Sequence, residues 1–341
     1  MCIDISGHAF VPGLGPSTLA RLIGRRHYSG MARGIAWILV AACAAFMVDW
    51  GLLAEDVDAS GASAGQPVIR MDPEITWQPD APGEGRLFRV RVMESLHTPL
   101  LGVHGTIAGE ELHFRRSGDR AFESVAAVPV GAGPAVDAKV RVVFESGGEK
   151  TLSTSIPVTP GEYRHERLTV APRFGAPPDS ADQARLRRDQ ARAASVSAAA
   201  HRTPRLWGDE IVMPRASRVT SGFGDGRVFN GQVSSRHMGL DLQGFRGDTV
   251  VAAARGVVEA VEPFLLAGNI VYVNHGAGVI SGYFHLSQQL VAPGDTVQAG
   301  DPVGLVGATG RVTGPHLHWV VRYGTTSVDP RSLLEVVTDP R

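Results

Sequence analysis

Between Trp207 and Pro330 the chain consists of short strand-like runs separated by glycines, and this pattern limits the possible folds more than any other feature. Apolar runs of this length, bounded by turn residues, are typical of β-strands. They are Thr249-Val-Val-Ala252, Val257–Val261, Asn269–Val273, Val279–Phe284, Leu305-Val306 and Leu317–Arg322. No helical run interrupts them before Pro330. The pattern predicts an all-β, mostly antiparallel domain of about 130 residues, with glycine at corners and close backbone approaches.

Three blocks within this region carry the residue types of a metal site. They are His237-Met-Gly-Leu-Asp241, Tyr283-Phe-His285-Leu-Ser287 and Pro315-His316-Leu-His318-Trp319. His237 and Asp241 face the same way on either a strand or a helix, and the alternation around Leu317 places His316 and His318 on one face of a strand. Two imidazoles and a carboxylate form a ligand set that Zn²⁺ accepts, with a fourth position for water. Spacing alone leaves open which histidine of the pair binds metal and which serves acid–base chemistry.

Further motifs surround these blocks in a fixed order over about residues 206–335. They are Ser221-Gly-Phe-Gly224, Gly247-Asp-Thr-Val-Val-Ala252, Gly268-Asn269, His275-Gly-Ala-Gly278, Val297-x-x-Gly-Asp-x-Val-Gly304, Gly307-x-Thr-Gly310 and Thr313-Gly-Pro-His-Leu-His318. Together with the histidine blocks they closely resemble the lysostaphin-type (LytM-type) zinc endopeptidase family. The resemblance implies a β-barrel-like or sandwich fold of the duplicated-hybrid-motif kind and hydrolysis of peptide cross-links in bacterial peptidoglycan.

The resemblance also implies roles for individual residues. His237, Asp241 and His318 match the positions of the zinc ligands, so one Zn²⁺ is expected in the domain. His285 and His316 match the catalytic histidines, one taking a proton from the attacking water and returning one to the leaving amine, the other stabilising the oxyanion. Which histidine does which is left open.

The loop before His237 departs from some members of the family, which carry a tyrosine there. The segment Phe229-Asn-Gly-Gln-Val-Ser-Ser-Arg236 contains none. Arg227, Asn230 or Arg236 is a candidate to line the substrate groove instead, against the alternative of a plain surface loop. Tyr283 and Trp319 are interpreted as either groove rim or core, and His275 as structural.

Residues 65–205, before this domain, have other sequence patterns. Phe88–Val92 and Val140–Phe144 alternate apolar and polar residues as half-buried strands do, which predicts an immunoglobulin-like β-sandwich over residues 65–175. Its role is interpreted as a spacer or as a surface for the cell wall or a regulatory protein. Ser180-Ala-Asp-Gln183 is a capping-box signature, and it predicts one connecting helix of about twenty residues within a linker at 176–205. The peptidase domain is then 206–341.

Residues 1–64 form an N-terminal tail with an apolar stretch at 34–54 that follows Met31-Ala-Arg33. This arrangement predicts a signal peptide or a membrane anchor, and hence export to the periplasm, with membrane association through this segment. A lipid-anchored Cys43 is the third interpretation. The sequence leaves the three open.

Composition and motif content exclude some alternative functions. A formal net charge of -1 does not favour nucleic acid as a partner. The partner that the family resemblance implies is the peptide stems of peptidoglycan. Lys139 and Lys150 are the last lysines of the chain, so a biotinyl or lipoyl carrier is excluded, because it needs a lysine for its prosthetic group. A serine hydrolase is disfavoured by the lack of a Gly-x-Ser-x-Gly elbow. A catalytically silent relative that binds the cell wall or activates amidases remains the alternative function.

Overall fold

A computed structural model describes residues 72–118 and 120–338 of the 341-residue chain. The predicted signal peptide or anchor, including Cys43, lies outside the described residues. Within the described residues, no helix is long and apolar enough to cross a membrane. The described chain is mainly β, as predicted, with helices at three places.

The N-terminal half is built from short antiparallel strands. They are β1 (Glu74–Gln78), β2 (Leu87–Met93), β3 (Leu100–Ile107), β4 (Glu110–Leu112), β5 (Arg115–Ser117), β6 (Ala121–Ala127), β7 (Ala135–Phe144) and β8 (Glu149–Pro157). They form two four-stranded sheets, with the orders β1-β2-β6-β5 and β4-β3-β7-β8. Alternate residues of the central strands, such as Phe88, Val90, Val140 and Val142, fill the core between the sheets. This half is the predicted sandwich.

The second face of strand β2 is also covered. Leu87 belongs to a different core from Phe88 and Val90, one shared with the C-terminal half. Arg89 is only 9% exposed, and its Nη2 donates to the carbonyl oxygen of Val336 at 2.7 Å. The alternation in this strand therefore separates two buried faces, rather than the buried and exposed faces that the sequence predicted.

Between β8 and the C-terminal half lie one strand and two helices: β9 (His165–Leu168), α1 (Pro172–Gly175) and α2 (Ser180–Arg202). Of these, only α2 falls within the linker predicted at 176–205. The connecting helix is confirmed, but its cap differs from the predicted capping box. Asp179 is the N-cap residue, and its side chain accepts from the backbone N of Asp182 at 2.8 Å. Ala193, Val196 and Ala200 pack into an apolar cluster with residues of the C-terminal sheet, so α2 is attached to the C-terminal half.

The C-terminal half contains the remaining strands and one terminal helix. They are β10 (Val219–Ser221), β11 (Gly226–Phe229), β12 (Val233–Arg236), β13 (Leu240–Gln243), β14 (Thr249–Val251), β15 (Gly256–Phe264), β16 (Gly268–Gly276), β17 (Val279–Leu286), β18 (Gln288–Gln289), β19 (Thr296–Val297), β20 (Pro302–Leu305), β21 (His316–Tyr323), β22 (Thr326–Val328) and α3 (Arg331–Thr338).

One large antiparallel sheet organises this half, with the order β10-β13-β21-β17-β16-β15-β19 and with β22 paired to β21. Two three-stranded sheets accompany it, β14-β20-β18 and β12-β11-β9. The described strands form open sheets rather than a closed barrel. Sandwich and C-terminal half lie within one compact unit, and the domain boundaries expected from the sequence stay a prediction.

Candidate active site

The pairing of strands β13 and β21 brings a carboxylate and an imidazole together. Asp241 lies directly opposite His318 in this antiparallel register, and Gln243 lies opposite His316. Leu317 is fully buried in the core, so the alternation along β21 turns His316 and His318 to the other face. The strand register brings Asp241 and His318 together although they are far apart in sequence, because opposite residues of antiparallel strands have neighbouring side chains.

His237 reaches the same place by a different route. It lies just before β13 rather than on a shared strand or helix with Asp241, as the sequence had suggested. The chain between them passes Gly239, where an added Cβ would lie 2.6 Å from the carbonyl oxygen of Trp319 and 2.7 Å from Cε1 of His318. Glycine is needed at this close approach, since any side chain would push the first histidine away from the second.

Three donor atoms converge in the resulting cluster, which we call the peptidase cluster (His237, Asp241, His318). His237 Nε2 lies 3.0 Å from Asp241 Oδ1 and 2.9 Å from His318 Nδ1, and His318 Nδ1 lies 2.8 Å from Asp241 Oδ1. All three side chains are buried. The Nδ1–H of His237 donates to the carbonyl oxygen of Gly222 at 2.5 Å, which leaves the Nε2 lone pair facing the other two residues. This donor set fits a divalent cation of the zinc class.

A charged network holds the second oxygen of Asp241. Arg227 donates from Nη2 to Asp241 Oδ2 at 2.5 Å and from Nε to Glu166 Oε2 at 3.0 Å. Ser221 bridges the two, accepting from Arg227 Nη2 at 2.7 Å and donating to Glu166 at 3.0 Å. Glu166 lies on β9, which pairs in parallel with β11 and places Glu166 opposite Arg227. The network fixes the orientation of the carboxylate that faces the histidines.

His285 and His316 lie next to the cluster and face each other, with ring centroids 5.0 Å apart. The Nδ1–H of His285 donates to the carbonyl oxygen of Thr309, and that of His316 to the carbonyl oxygen of Gly314, each at 2.8 Å. These bonds place the ring proton on Nδ1, so Nε2 is the basic atom in each residue.

His285 also has strained backbone, with φ of 61° in the left-handed region. Such a conformation costs a non-glycine residue on the order of 1–3 kcal/mol. The backbone N–H of His285 donates to the carbonyl oxygen of Ala267 at 2.9 Å, which helps to hold the conformation. The orientation of this imidazole is therefore maintained at a cost in the free energy of folding.

Burial and mutual proximity set the protonation of the cluster. Burial favours the neutral acid at Asp241, but the charge and hydrogen bonds of His237, joined by those of His316 and His318, hold its pKa well below the usual range. Burial lowers the pKa of His318 to about 4. Burial, together with His316 and His318, holds the pKa of His285 well below its usual range. An ionised carboxylate and a neutral imidazole are the forms that bind metal.

An open groove runs beside the cluster. It is lined by Asp241, His285 and His316 and by residues of β9, β11 and the loop before β21. Arg311 also lines it, with its guanidinium 4.0 Å from the ring centroid of Phe229. Burial lowers the pKa of Arg311 to about 10, with a further contribution from Arg227. No carboxylate of the described residues forms an ion pair with Arg311.

The other candidates from the sequence occupy different positions. Arg227 lines the groove, but Asn230 does not, because its side chain exchanges hydrogen bonds with the backbone of Val170 at 2.9 and 3.1 Å. Arg236 donates to the carbonyl oxygen of Gly224 at 2.7 Å and borders a smaller cavity behind His237.

Tyr283 and Trp319 are fully buried, which makes them core residues rather than groove rim. His275 is buried as well, bonded to the carbonyl oxygen of Arg255 at 2.9 Å and to Ser281 Oγ at 2.8 Å. Burial lowers the pKa of His275 to about 4, so this imidazole is neutral and structural.

Sequence reasoning missed two residues of the groove. Glu166 has no distinguishing spacing in the sequence, and nothing there indicates that β9 pairs with β11. Arg311 lies in the Gly307-x-Thr-Gly310 to Thr313 region, where a lone arginine has no distinguishing pattern. Both become visible only through the pairing of distant strands.

The geometry agrees with a known family of proteins. A family model for peptidase family M23 matches residues 235–330, which include the four histidines and the aspartate of the site. Residues 235–330 therefore form an M23-like segment of the C-terminal half, which we call the M23 domain. A solved structure of a putative peptidase M23 from Pseudomonas aeruginosa is 25% identical and superposes with a TM-score of 0.58, covering 75% of this chain and 96% of that chain. The likeness to the lysostaphin (LytM) type inferred from the motifs is thereby confirmed.

Two curated relatives from Vibrio cholerae match the M23 domain. Peptidoglycan DD-endopeptidase ShyC is 38% identical over 118 residues, which are 34% of this chain and 27% of the relative. Peptidoglycan DD-endopeptidase ShyA is 40% identical over 105 residues, which are 30% of this chain and 24% of the relative. The matched segment spans about a quarter of the length of these relatives.

Proposed function

We propose that this protein is a zinc-dependent endopeptidase that cuts peptide cross-links in bacterial peptidoglycan. The observation that carries the proposal is the convergence of three buried donor atoms within 3.0 Å of one another, flanked by two further imidazoles that open onto a groove. A ligand set with adjacent basic residues is what metal-assisted hydrolysis requires.

The proposed roles follow from the hydrogen bonds. His237, Asp241 and His318 would hold one zinc ion, which supplies a Lewis acid that activates water and polarises the scissile carbonyl. His285 and His316 each present Nε2, because Nδ1 is held by a backbone carbonyl. One, as a neutral imidazole, accepts the proton of the attacking water on Nε2 and passes it to the leaving amine. The other, protonated on Nε2 as well as on Nδ1, donates to the carbonyl oxygen as negative charge develops.

Arg311 supports a peptide substrate that carries a carboxylate. The guanidinium is half-buried and contacts Ser235 and the ring of Phe229 but no carboxylate, so it is placed to bind an anionic ligand from the groove. Stem peptides of peptidoglycan have free carboxylates, whereas glycine bridges have none along their length. The repulsion between Arg311 and Arg227 adds to the preference for an anion at this end of the groove. We infer that Arg311 binds a substrate carboxylate, which favours stem-peptide cross-links over glycine bridges.

Export belongs to the same proposal, because peptidoglycan lies outside the cytoplasmic membrane. The apolar stretch at 34–54 supports it, as signal peptide, anchor or lipid-attachment segment. Fractionation of cells that produce the full chain would test this, with recovery in the cytoplasm only as the contrary result.

The test of the activity is digestion of purified sacculi by the zinc-loaded full chain, with released fragments identified by mass spectrometry. We expect cut cross-bridges with intact stem termini, and no release by Asp241→Asn, which keeps the shape of the side chain but removes its charge. His104→Ala, an exposed histidine of the sandwich, is the matched control. A zinc-loaded wild-type chain that binds sacculi but releases nothing would support the silent alternative, a wall-binding or amidase-activating relative.

A further inference from the structure

A second group of histidines and carboxylates lies away from the groove, where the sandwich, helix α2 and the turn between β21 and β22 meet. Glu111 lies on β4, His113 follows the end of β4, and His201 lies in the last turn of α2. One donor atom from each lies within 4.8 Å of the other two. Among the described residues, only this group and the peptidase cluster bring three such donors so close. We call it the junction cluster (Glu111, His113, His201).

The two imidazoles of the junction cluster point their nitrogens at each other. His113 Nε2 lies 2.8 Å from His201 Nδ1, and the rings are stacked with centroids 5.1 Å apart. The ring of Tyr323 packs edge-on against His201 at 5.6 Å, and its Oη donates to the carbonyl oxygen of Glu111 at 2.7 Å. The positions of the rings are therefore set by packing from three elements.

A second carboxylate fixes the tautomer of His201. Glu110 Oε2 accepts from His201 Nε2 at 3.2 Å, while Glu110 Oε1 accepts from the backbone N and Oγ1 of Thr325 at 2.8 and 2.6 Å. The proton of His201 is thus on Nε2, and its Nδ1 lone pair faces His113. A carboxylate behind a histidine, with the lone pair directed away from it, is the usual orientation of a metal-binding imidazole.

We propose that Glu111, His113 and His201 form a second binding site for a divalent cation of the zinc class. The donors are two imidazoles and one carboxylate, the same set as in the peptidase cluster. Bonds of about 2.0–2.1 Å in tetrahedral geometry separate two ligand nitrogens by about 3.3 Å, so the pair must open by about half an ångström. The nitrogens of His237 and His318 lie 2.9 Å apart and require a similar opening. Glu111 is exposed, which gives the ion a path from solvent.

The site joins parts of the chain that are far apart in sequence. Glu111 and His113 belong to the sandwich and His201 to the connecting helix, and the turn at Gly324 supplies the wall beside them. Gly324 has φ of 54°, and an added Cβ would collide with Glu110 and His201. A cation bound only by the folded chain stabilises it by mass action, so this site would fasten the sandwich to the helix and the M23 domain.

Counting bound metal in the full chain tests the proposal. The wild type, His318→Ala, His113→Ala and the double variant are loaded with zinc, freed of excess by dialysis, and measured by inductively coupled plasma mass spectrometry. We expect two, one, one and zero equivalents. In the His318→Ala background, saturating zinc should raise Tm by roughly 5–10 °C, since binding at about a hundred times Kd adds to stability. The rise should vanish with His113→Ala.

A third variant controls for loss of zinc binding through misfolding. Glu111→Gln changes one exposed side chain, so the fold is retained, and we expect weaker zinc binding in the His318→Ala background by roughly 10–100-fold. Cobalt in place of zinc gives an independent signal, because a tetrahedral site has a visible absorption band. One equivalent in the wild type, lost with His318→Ala and unchanged with His113→Ala, would overturn the proposal and leave Glu110, His201 and His113 as a plain hydrogen-bonded chain.

Discussion

The peptidase cluster and the junction cluster each combine two imidazoles with one carboxylate, at nitrogen–nitrogen distances of 2.9 and 2.8 Å. Their surroundings differ. The peptidase cluster has two further histidines beside it, an open groove and an arginine without a carboxylate partner among the described residues. The junction cluster has a stacked pair, a tyrosine edge and a threonine-held carboxylate instead.

The comparison shows that a donor set by itself does not define an active site. Chemistry needs proton carriers that are not ligands, together with space for substrate on the same face. The peptidase cluster has both, in His285 and His316 and in the groove beside them. The groups next to the junction cluster are Glu110 and Tyr323, which hold His201 in place. On the two proposals made above, the same donor set would serve hydrolysis in one place and attachment in the other.

The largest effect is expected from His318→Ala. Removal of a ligand from the peptidase cluster should lower cross-link cleavage by at least about 10³-fold, because metal assistance supplies several kcal/mol of transition-state stabilisation. Release of soluble fragments from sacculi measures it. An equal loss of activity in His201→Ala, at a temperature where both variants are folded, would contradict the view that only the peptidase cluster is needed for cleavage.

His285→Ala and His316→Ala should come next. Each removes a proton carrier, which lowers kcat by about 10²–10⁴-fold while one zinc remains in the peptidase cluster. Steady-state kinetics on a cross-linked muropeptide, with metal analysis of the same sample, measures both quantities. Loss of that zinc in either variant would show that the residue is a ligand and would contradict the roles proposed here.

Arg311→Ala should lower kcat/KM by roughly 10–100-fold, the cost of a lost charge-assisted hydrogen bond to the substrate carboxylate. Arg311→Lys keeps the charge but not the paired donors, so it should recover only part of the loss. A substrate with that carboxylate amidated is the matched test, since the wild type and Arg311→Ala should then cut it at similar rates. A large remaining difference would indicate a structural role instead.

Glu166→Gln should have a smaller effect, about tenfold in kcat/KM or in zinc affinity, because Glu166 acts on Asp241 only through Arg227 and Ser221. Its matched control is Arg167→Gln, which changes the next, exposed residue of β9. A change in zinc affinity separates positioning of a ligand from general damage to the strand. Equal effects of the two variants would speak against a specific role.

The smallest expected effect is on stability. Gly324→Ala should lower the free energy of unfolding by roughly 1–3 kcal/mol more than Gly131→Ala, because both glycines have positive φ but only Gly324 meets the junction cluster. Thermal unfolding of the two variants measures the difference. Equal costs would mean that Glu110 and His201 move aside freely.

The sequence predicts local structure here much better than long-range contacts. The strand runs of the C-terminal half, the connecting helix and the side of β21 that carries His316 and His318 all follow from periodicity. The cap at Asp179 was missed because Ser180 offers an equally good signal one residue later. Arg89 was expected in solvent, since no local pattern indicates that α3 covers the outer face of β2.

The site divides in the same way. The histidine motifs identify a metal peptidase because their spacing repeats a family pattern. Glu166 and the pair of His113 and His201 give no such signal, since their partners come from elements far away along the chain. Register and packing decide those contacts, and neither can be read from a window of a few residues.

The pairing of β9 with β11 limits how this protein can be divided. A fragment that starts at residue 206 would lose Glu166 and the wall it forms beside the groove, and it would expose the edge of β11 to other chains. The fragment would also lose α2 and the sandwich residues that pack into the apolar core of the C-terminal half. A transfer of the catalytic part to another scaffold must therefore include β9 and α2. The smallest transferable unit of this protein starts well before residue 235, where the family match begins.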